Sequence, residues 1–348
     1  MTQTTSVPGV LARARHAVQP ATVAAVERLI PELQSTAAYH LGWCDERGRP
    51  TANDSGGKGV RPALALLSAE AAGAEARVGV PGAVAVELVH NFSLLHDDII
   101  DGDRERRHRP TVWALHGVGP ALILGDALLT LAHQTLQSAP RTAQPAPTVA
   151  ACSAATTELT DAVAAMIAGQ ADDMAFESRS DITVDECLAM SARKTGALLS
   201  CAASIGALLA GAPPSAIEAL RRHGADLGVA FQAVDDLLGI WGDPKRTGKP
   251  RGSDIVARKK SLPIVLALAD AGADADELRS LLVNGPLDEP AIARATELVE
   301  RCGGRLATEE IARRHLEAAM CALDTAELEA RPCAELAELA HFVVDREF

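Results

Sequence analysis

The stretch ELVHNFSLLHDDIIDGDRERRHRPTVW, residues 87–113, decides the reading of this chain. Val84, Leu88, Leu95 and Ile99 give it an apolar pattern of helical spacing. Asp97 and Asp101 are four apart, so a helix places them on one face, about one turn from each other. His90 and Ser93 continue that stripe by steps of three and four. Two carboxylates about 6 Å apart repel by about 2–3 kcal/mol at an effective dielectric near 20. Mg²⁺ compensates such a pair, because it prefers oxygen ligands and bridges carboxylates to phosphates. Taken alone, the aspartates read equally well as a solvated helix end. Arg104, Arg106, Arg107 and Arg109 follow at once, and guanidinium forks bind phosphate bidentately. Acids for a metal followed by arginines for phosphate suit a diphosphate–metal complex.

A second segment, GVAFQAVDDLLGIWGDPKRTGKPRGSD at 228–254, repeats the layout. Asp235 and Asp236 close an apolar helical run, and Gln232 lies one turn before Asp235. The helix is expected to end around Gly239 to Gly242, with Lys245, Arg246, Lys249 and Arg251 in the loop beyond. Upstream, GGKGVRP at 56–62 sets Lys58 and Arg61 beside glycines, where backbone can approach a phosphate closely. It lacks the spacing of a P-loop. Lys194 and Thr195 interrupt an apolar stretch, and Lys259 and Lys260 open another. Each of these basic residues, standing alone, reads as an ordinary surface charge.

Working outward, helical periodicity recurs almost everywhere among the 348 residues. Hydrophobic residues make up 48% of the chain but aromatics only 3%, so Ala, Leu and Val dominate, which favours helices over sheets. Breaks fall at Gly42–Gly59, Pro140–Pro147, Gly211–Pro214, Trp241–Ser253 and Gly285–Pro290. The expectation is an all-α fold: a single-domain helical bundle around a central cavity, residues 21–348, after a loosely ordered N-terminus at 1–20. The net charge of −13 disfavours a nucleic-acid partner. Seven cysteines without a CxxC motif suggest structural thiols in a reducing compartment. The N-terminus lacks the apolar run of a signal peptide. The most apolar stretch, Gly196 to Ala212, is short for a membrane span and is expected to be a core helix, so no stable membrane insertion is expected.

Together the segments resemble the trans-isoprenyl diphosphate synthase family, also called polyprenyl synthetases. The matches run in family order: GGKGVRP, ELVHNFSLLHDDIID, RRHRPT at 106–111, GQADD at 169–173, KTG at 194–196, FQAVDD at 231–236, GKP at 248–250 and KKSLP at 259–263. They cover roughly residues 56 to 265; the remainder carries helices but no readable motif. The resemblance implies a Mg²⁺-dependent, head-to-tail condensation of isopentenyl diphosphate with an allylic diphosphate. Asp97, Asp101 and Asp235 match metal ligands, for three Mg²⁺ per site. Lys58, Arg61, His90 and Arg107 match the positions holding isopentenyl diphosphate. Arg106, Lys194, Thr195, Gln232 and Lys249 match those around the allylic diphosphate. Asp97, Asp101, Arg106, Lys194 and Asp235 are the expected catalytic set. Gln170 and Asp173 match a pair lining the cavity, and Lys260 a basic position.

Phe92 and Ser93, five and four residues before Asp97, match the positions that limit product length. A bulky Phe92 resembles short-chain synthases, so a C20 product is expected first and C15 next. His96 reads as structural. The resemblance further implies a homodimer and a cytoplasmic location. One departure stands out. The second motif normally ends in a third aspartate, and here Gly239 stands in its place, with Asp243 a candidate substitute. That loss leaves open a non-catalytic subunit of a heteromeric synthase. A class I terpene cyclase on the same fold is the other alternative, although a cyclase needs no isopentenyl site.

Overall fold

The computed structural model describes residues 9–51, 59–142, 146–244, 250–283 and 287–344. Apart from an isolated bridge between Cys44 and Pro50 and one hairpin of two-residue strands, the regular structure among them is helical, as the Ala- and Leu-rich composition requires. Lys58 and Lys249, both expected site residues, lie outside the described residues.

The helices are α1 (Gly9–Val26), α2 (Pro31–His40), α3 (Val60–Ala71), α4 (Val80–Ile100), α5 (Val112–His116) and α6 (Val118–Thr142), followed by α7 (Val149–Glu177) and α8 (Val184–Ser191). A π-helical turn, Ala192–Gly196, joins α8 to α9 (Ala197–Ala210). Then come α10 (Pro214–Trp241), α11 (Ser253–Val256), α12 (Leu262–Leu268), α13 (Ala273–Val283), α14 (Glu289–Arg301), α15 (Gly304–Leu323) and α16 (Ala330–Val344). Strands β1 (Glu105–Arg106) and β2 (Arg109–Pro110) form the antiparallel hairpin. The N-terminus departs from expectation: α1 begins at Gly9, and its inward positions Val10, Leu11, Ala14 and Val18 bury apolar side chains where loose chain was expected.

Contacts group the chain into two compact units. The first comprises Met1–Asp161, Cys201–Arg221 and Leu323–Leu339. Its centre is α4, which packs on α3 and, most extensively, on α6. Leu64, Leu67, Leu88, Leu95, Leu124, Leu128 and Leu131 are fully buried there. Burying each such side chain contributes roughly 1.5–3 kcal/mol. The second unit comprises Ala162–Ser200, Arg222–Ala322 and Ala340–Phe348. Its core gathers Leu237, Ile240 and Trp241 of α10, Ile255 of α11, Ile264 of α12, Leu278 of α13 and Leu298 of α14. Asp288 caps α14, its side chain accepting from Ala291 N–H at 3.0 Å.

The described helical stretch Ala76–Ile100 is long and apolar enough to cross a membrane, by length and composition alone. As 72% of that window is buried inside the fold, it is accounted for as a core helix. The Gly196–Ala212 stretch becomes α9, where Leu198, Ala202, Ile205 and Leu209 are buried.

Candidate active site

Helix α4 carries the first acidic set. Its backbone bonds close at Asp101, whose N–H donates to the Asp97 carbonyl at 2.8 Å, and Gly102 then turns left-handed at φ 69°. Only glycine enters that region without strain, which explains the stop after IID. Consecutive residues on a helix point about 100° apart, so Asp97 and Asp98 have different fates. Asp98 is buried and receives both Nε and an Nη of Arg106 at 2.7 Å. Asp97 is half-buried and Asp101 exposed.

The four arginines that follow are sorted by the hairpin. Arg107 and His108 form its two-residue turn, with φ 53° and 60°. Both central residues are left-handed, as a type I′ turn demands, and a non-glycine residue there costs about 1–2 kcal/mol. The turn faces Arg106 to Asp98 while Arg107 leaves on the turn itself. Arg104 stacks over Trp113 at 5.3 Å, and Arg109 over Tyr39 at 4.3 Å, also donating to the Cys44 carbonyl at 2.7 Å. Two of the four arginines are thus engaged with aromatic rings, a distinction the sequence does not carry.

Arg61, His90 and Arg107 share one charged neighbourhood. Burial and then the guanidiniums of Arg61 and Arg107 hold His90 well below its ordinary pKa, so the imidazole is neutral at pH 7. Arg61 is itself lowered by burial, against the attraction of Glu87. Glu87 belongs to the set and was not singled out from the sequence: burial pushes it up, Arg61 pulls it down, and its Oε1 accepts from Asn91 at 3.2 Å. Four residues before Asn91 and three before His90, it shares their helix face, which is the signal that could have found it. Ser93 turns its hydroxyl back to the His90 carbonyl at 2.9 Å.

In the second unit, Lys194 and Thr195 sit on the π turn. π-turns inside helices recur at functional sites. Gly228 of α10 allows the turn to approach, since a Cβ there would come within 3.1 Å of the Gly196 nitrogen. Lys194 Nζ pairs with Asp173 of α7, and Thr195 Oγ1 donates to Gln232 Oε1 at 2.6 Å. Gln232 Nε2 in turn donates to Asp236 Oδ1 at 2.8 Å, and Leu262 N–H to Asp236 Oδ2 at 2.8 Å. Asp236 is buried and pushed up to about 7, chiefly by burial and then by Asp254, while Asp235 is exposed. Both acidic pairs therefore divide alike: the second aspartate is buried and anchors a polar partner, while the first is less buried. Gln170 Oε1 is buried without a protein partner, and burial lowers Lys260.

The place of the absent third aspartate is filled. The atoms nearest a Cβ on Gly239 all belong to the carboxylate of Asp254, the first within contact being Oδ1 at 2.6 Å with Oδ2 and Cγ closer still. Asp254, in the first turn of α11, sets a carboxylate at that position. The GSD tripeptide at 252–254 was the only sequence signal for it.

Residues 50–299 match the model of the polyprenyl synthetase family. The chain belongs to that family. This polyprenyl synthetase is 48% identical over 342 residues to the (2E,6E)-farnesyl diphosphate synthase of Mycobacterium tuberculosis, covering 97% of this chain and 93% of that one. It is 43% identical over 330 residues to the geranylgeranyl diphosphate synthase of the same organism, covering 91% and 88%. Among solved structures, the polyprenyl synthetase from Streptomyces coelicolor A3(2) superposes with a TM-score of 0.89 at 49% identity, covering 96% of this chain and 98% of the other.

Asp97 and Asp101 in the first unit, and Asp235 in the second, each offer oxygens only, the ligand type that a hard divalent cation takes. Among the described residues no three His, Cys, Asp or Glu side chains close into a ready metal cage. A cation held by either set would need oxygens from a bound diphosphate as well, the usual habit of Mg²⁺.

Proposed function

We propose that this prenyltransferase condenses isopentenyl diphosphate with an allylic diphosphate to a short-chain trans-prenyl diphosphate, C20 first and C15 next. Asp97, Asp101 and Asp235 are the proposed Mg²⁺ ligands, for three ions, with Asp254 contributing the carboxylate that Gly239 lacks. Bound Mg²⁺ supplies charge neutralisation of the diphosphate leaving group. Arg106, held by Asp98, and Lys194, held by Asp173, present fixed positive charge to the same allylic diphosphate, together with Lys249. Thr195 and Gln232, tied to Asp236, fix the polar edge of that substrate. Arg61, His90, Arg107 and Lys58 take isopentenyl diphosphate. The allylic C–O bond breaks, the isopentenyl double bond attacks the carbocation, and the proton lost from the new C–C product passes to the released diphosphate. The homodimer and cytoplasmic location belong to the same proposal and rest on family resemblance.

The observation that carries this reading is the shared neighbourhood of Arg61, His90 and Arg107. A terpene cyclase acts on one diphosphate and has no use for a second basic cluster. The carboxylate of Asp254 beside Gly239 supports a catalytic chain over a non-catalytic subunit. Relatives of both product lengths match closely, so chain length rests on Phe92. Purified protein with Mg²⁺, dimethylallyl diphosphate and labelled isopentenyl diphosphate tests the proposal. Extraction of labelled C20 or C15 prenyl diphosphate is expected. No condensation, or release of a hydrocarbon from geranylgeranyl diphosphate alone, would overturn it.

A further inference from the structure

Phe92, the expected limit on product length, is buried, and His96 one turn later meets its ring edge-on, with centroids 4.8 Å apart and planes at 69°. The imidazole is itself confined by α6. Its Nε2 lies 3.3 Å from the Leu122 carbonyl oxygen and 3.8 Å from Asp126 Oδ1. It also occupies the space above Gly125, where a Cβ would overlap Nε2 and come within 2.6 Å of Cδ2. Gly125 is flanked by Leu124 and buried one turn from Leu128, both at 0% exposure, so this face of α6 is closely packed. Nothing in the condensation chemistry uses His96 or Gly125.

We propose that His96 is a positioning residue for product length: seated in the gap that Gly125 leaves in α6, it holds the Phe92 ring in the orientation that stops chain growth. The inference rests on Phe92 being the limiting residue. Its physical basis is packing. An aromatic ring wedged between neighbours keeps one rotamer, and removal of the imidazole opens a cavity beside it into which the ring can turn. Room for the growing prenyl chain then increases without any change at Phe92 itself.

The test compares product distributions of the wild type with Phe92→Ala, His96→Ala, His96→Gln, Gly125→Ala and the Phe92→Ala/His96→Ala pair, each alongside a thermal melt. His96→Ala should raise the ratio of the next-longer product to the wild-type product roughly tenfold, the scale on which apolar pockets discriminate small differences in length. His96→Gln keeps a donor for the Leu122 carbonyl but no ring edge, and should behave as His96→Ala. Gly125→Ala displaces the same ring and should shift the ratio too. In the pair, His96→Ala should add nothing to Phe92→Ala, because it acts through that ring. If Phe92→Ala lengthens the product while folded His96→Ala and Gly125→Ala leave the ratio unchanged, the role of His96 is wrong and that of Phe92 stands. Full additivity in the pair, or a wild-type ratio in His96→Gln, would also overturn it. An unchanged product from Phe92→Ala would remove both ideas at once.

Discussion

The carboxylate of Asp254 occupies the space that a side chain on Gly239 would need, its Oδ1 2.6 Å from the Cβ that glycine lacks. A carboxylate missing from one turn of α10 is thereby offered from the first turn of α11, fifteen residues on. Asp254→Asn should raise the Mg²⁺ concentration for half-maximal rate, and weaken the rise in melting temperature given by Mg²⁺ plus inorganic diphosphate, by roughly 10-fold in affinity. Gly239→Asp alone should lower the melting temperature, because it forces a third acid into an occupied space. Gly239→Asp combined with Asp254→Gly should recover the metal response. Wild-type Mg²⁺ dependence in Asp254→Asn would mean that this carboxylate only fills space.

Phe92→Ala should shift the product toward chains longer by one or more five-carbon units. The ring is 6% exposed, so truncation leaves a void where the ring stood and costs about 3–5 kcal/mol of stability. Chromatography of the dephosphorylated products reads the first effect and a denaturant titration the second. A destabilised enzyme with an unaltered product would place the length limit elsewhere.

Lys194 sits on a π turn and pairs with Asp173. Lys194→Gln should lower kcat by about 10²–10³-fold, as loss of a preorganised charge facing a leaving group does. Asp173→Asn, which frees but keeps the ammonium, should lower it much less. Steady-state kinetics separate the cases: a raised KM with kcat intact would assign Lys194 to ground-state binding only.

His40 gives the apo protein an acid sensitivity. Burial, then the charges of Arg106 and Arg107, lower it to about 3. The unfolded chain takes up that proton near pH 6.5. Between those values the unfolded state holds more protons, so stability is complete above pH 6.5 and falls as pH drops toward 3. His40→Gln should flatten the fall in melting temperature between pH 7 and 5 without abolishing it, since His90 and His223 are lowered in the same direction. An identical pH profile in the variant would contradict the lowered pKa of His40.

The aspartate pairs and the arginine run were legible because their spacing is local. Residues three and four apart meet on one helix face whatever else the chain does, and Ala- and Leu-rich periodicity commits the backbone to helix before any packing. Asp97 with Asp101 on one helix face follows from that rule alone. So did the family, through motifs in fixed order.

What each side chain does with its charge was settled by packing of segments distant in sequence. Asp98 and Asp236 turn inward to anchor Arg106 and Gln232, and Arg104 and Arg109 are engaged by Trp113 and Tyr39. Asp254 sets its carboxylate against Gly239, and His96 finds its seat only because α6 presents Gly125. The sequence by itself determined the helices and the inventory of charged groups. Only the tertiary structure decided which groups are buried and paired and which remain outward, because burial and close approach depend on neighbours that no local spacing names.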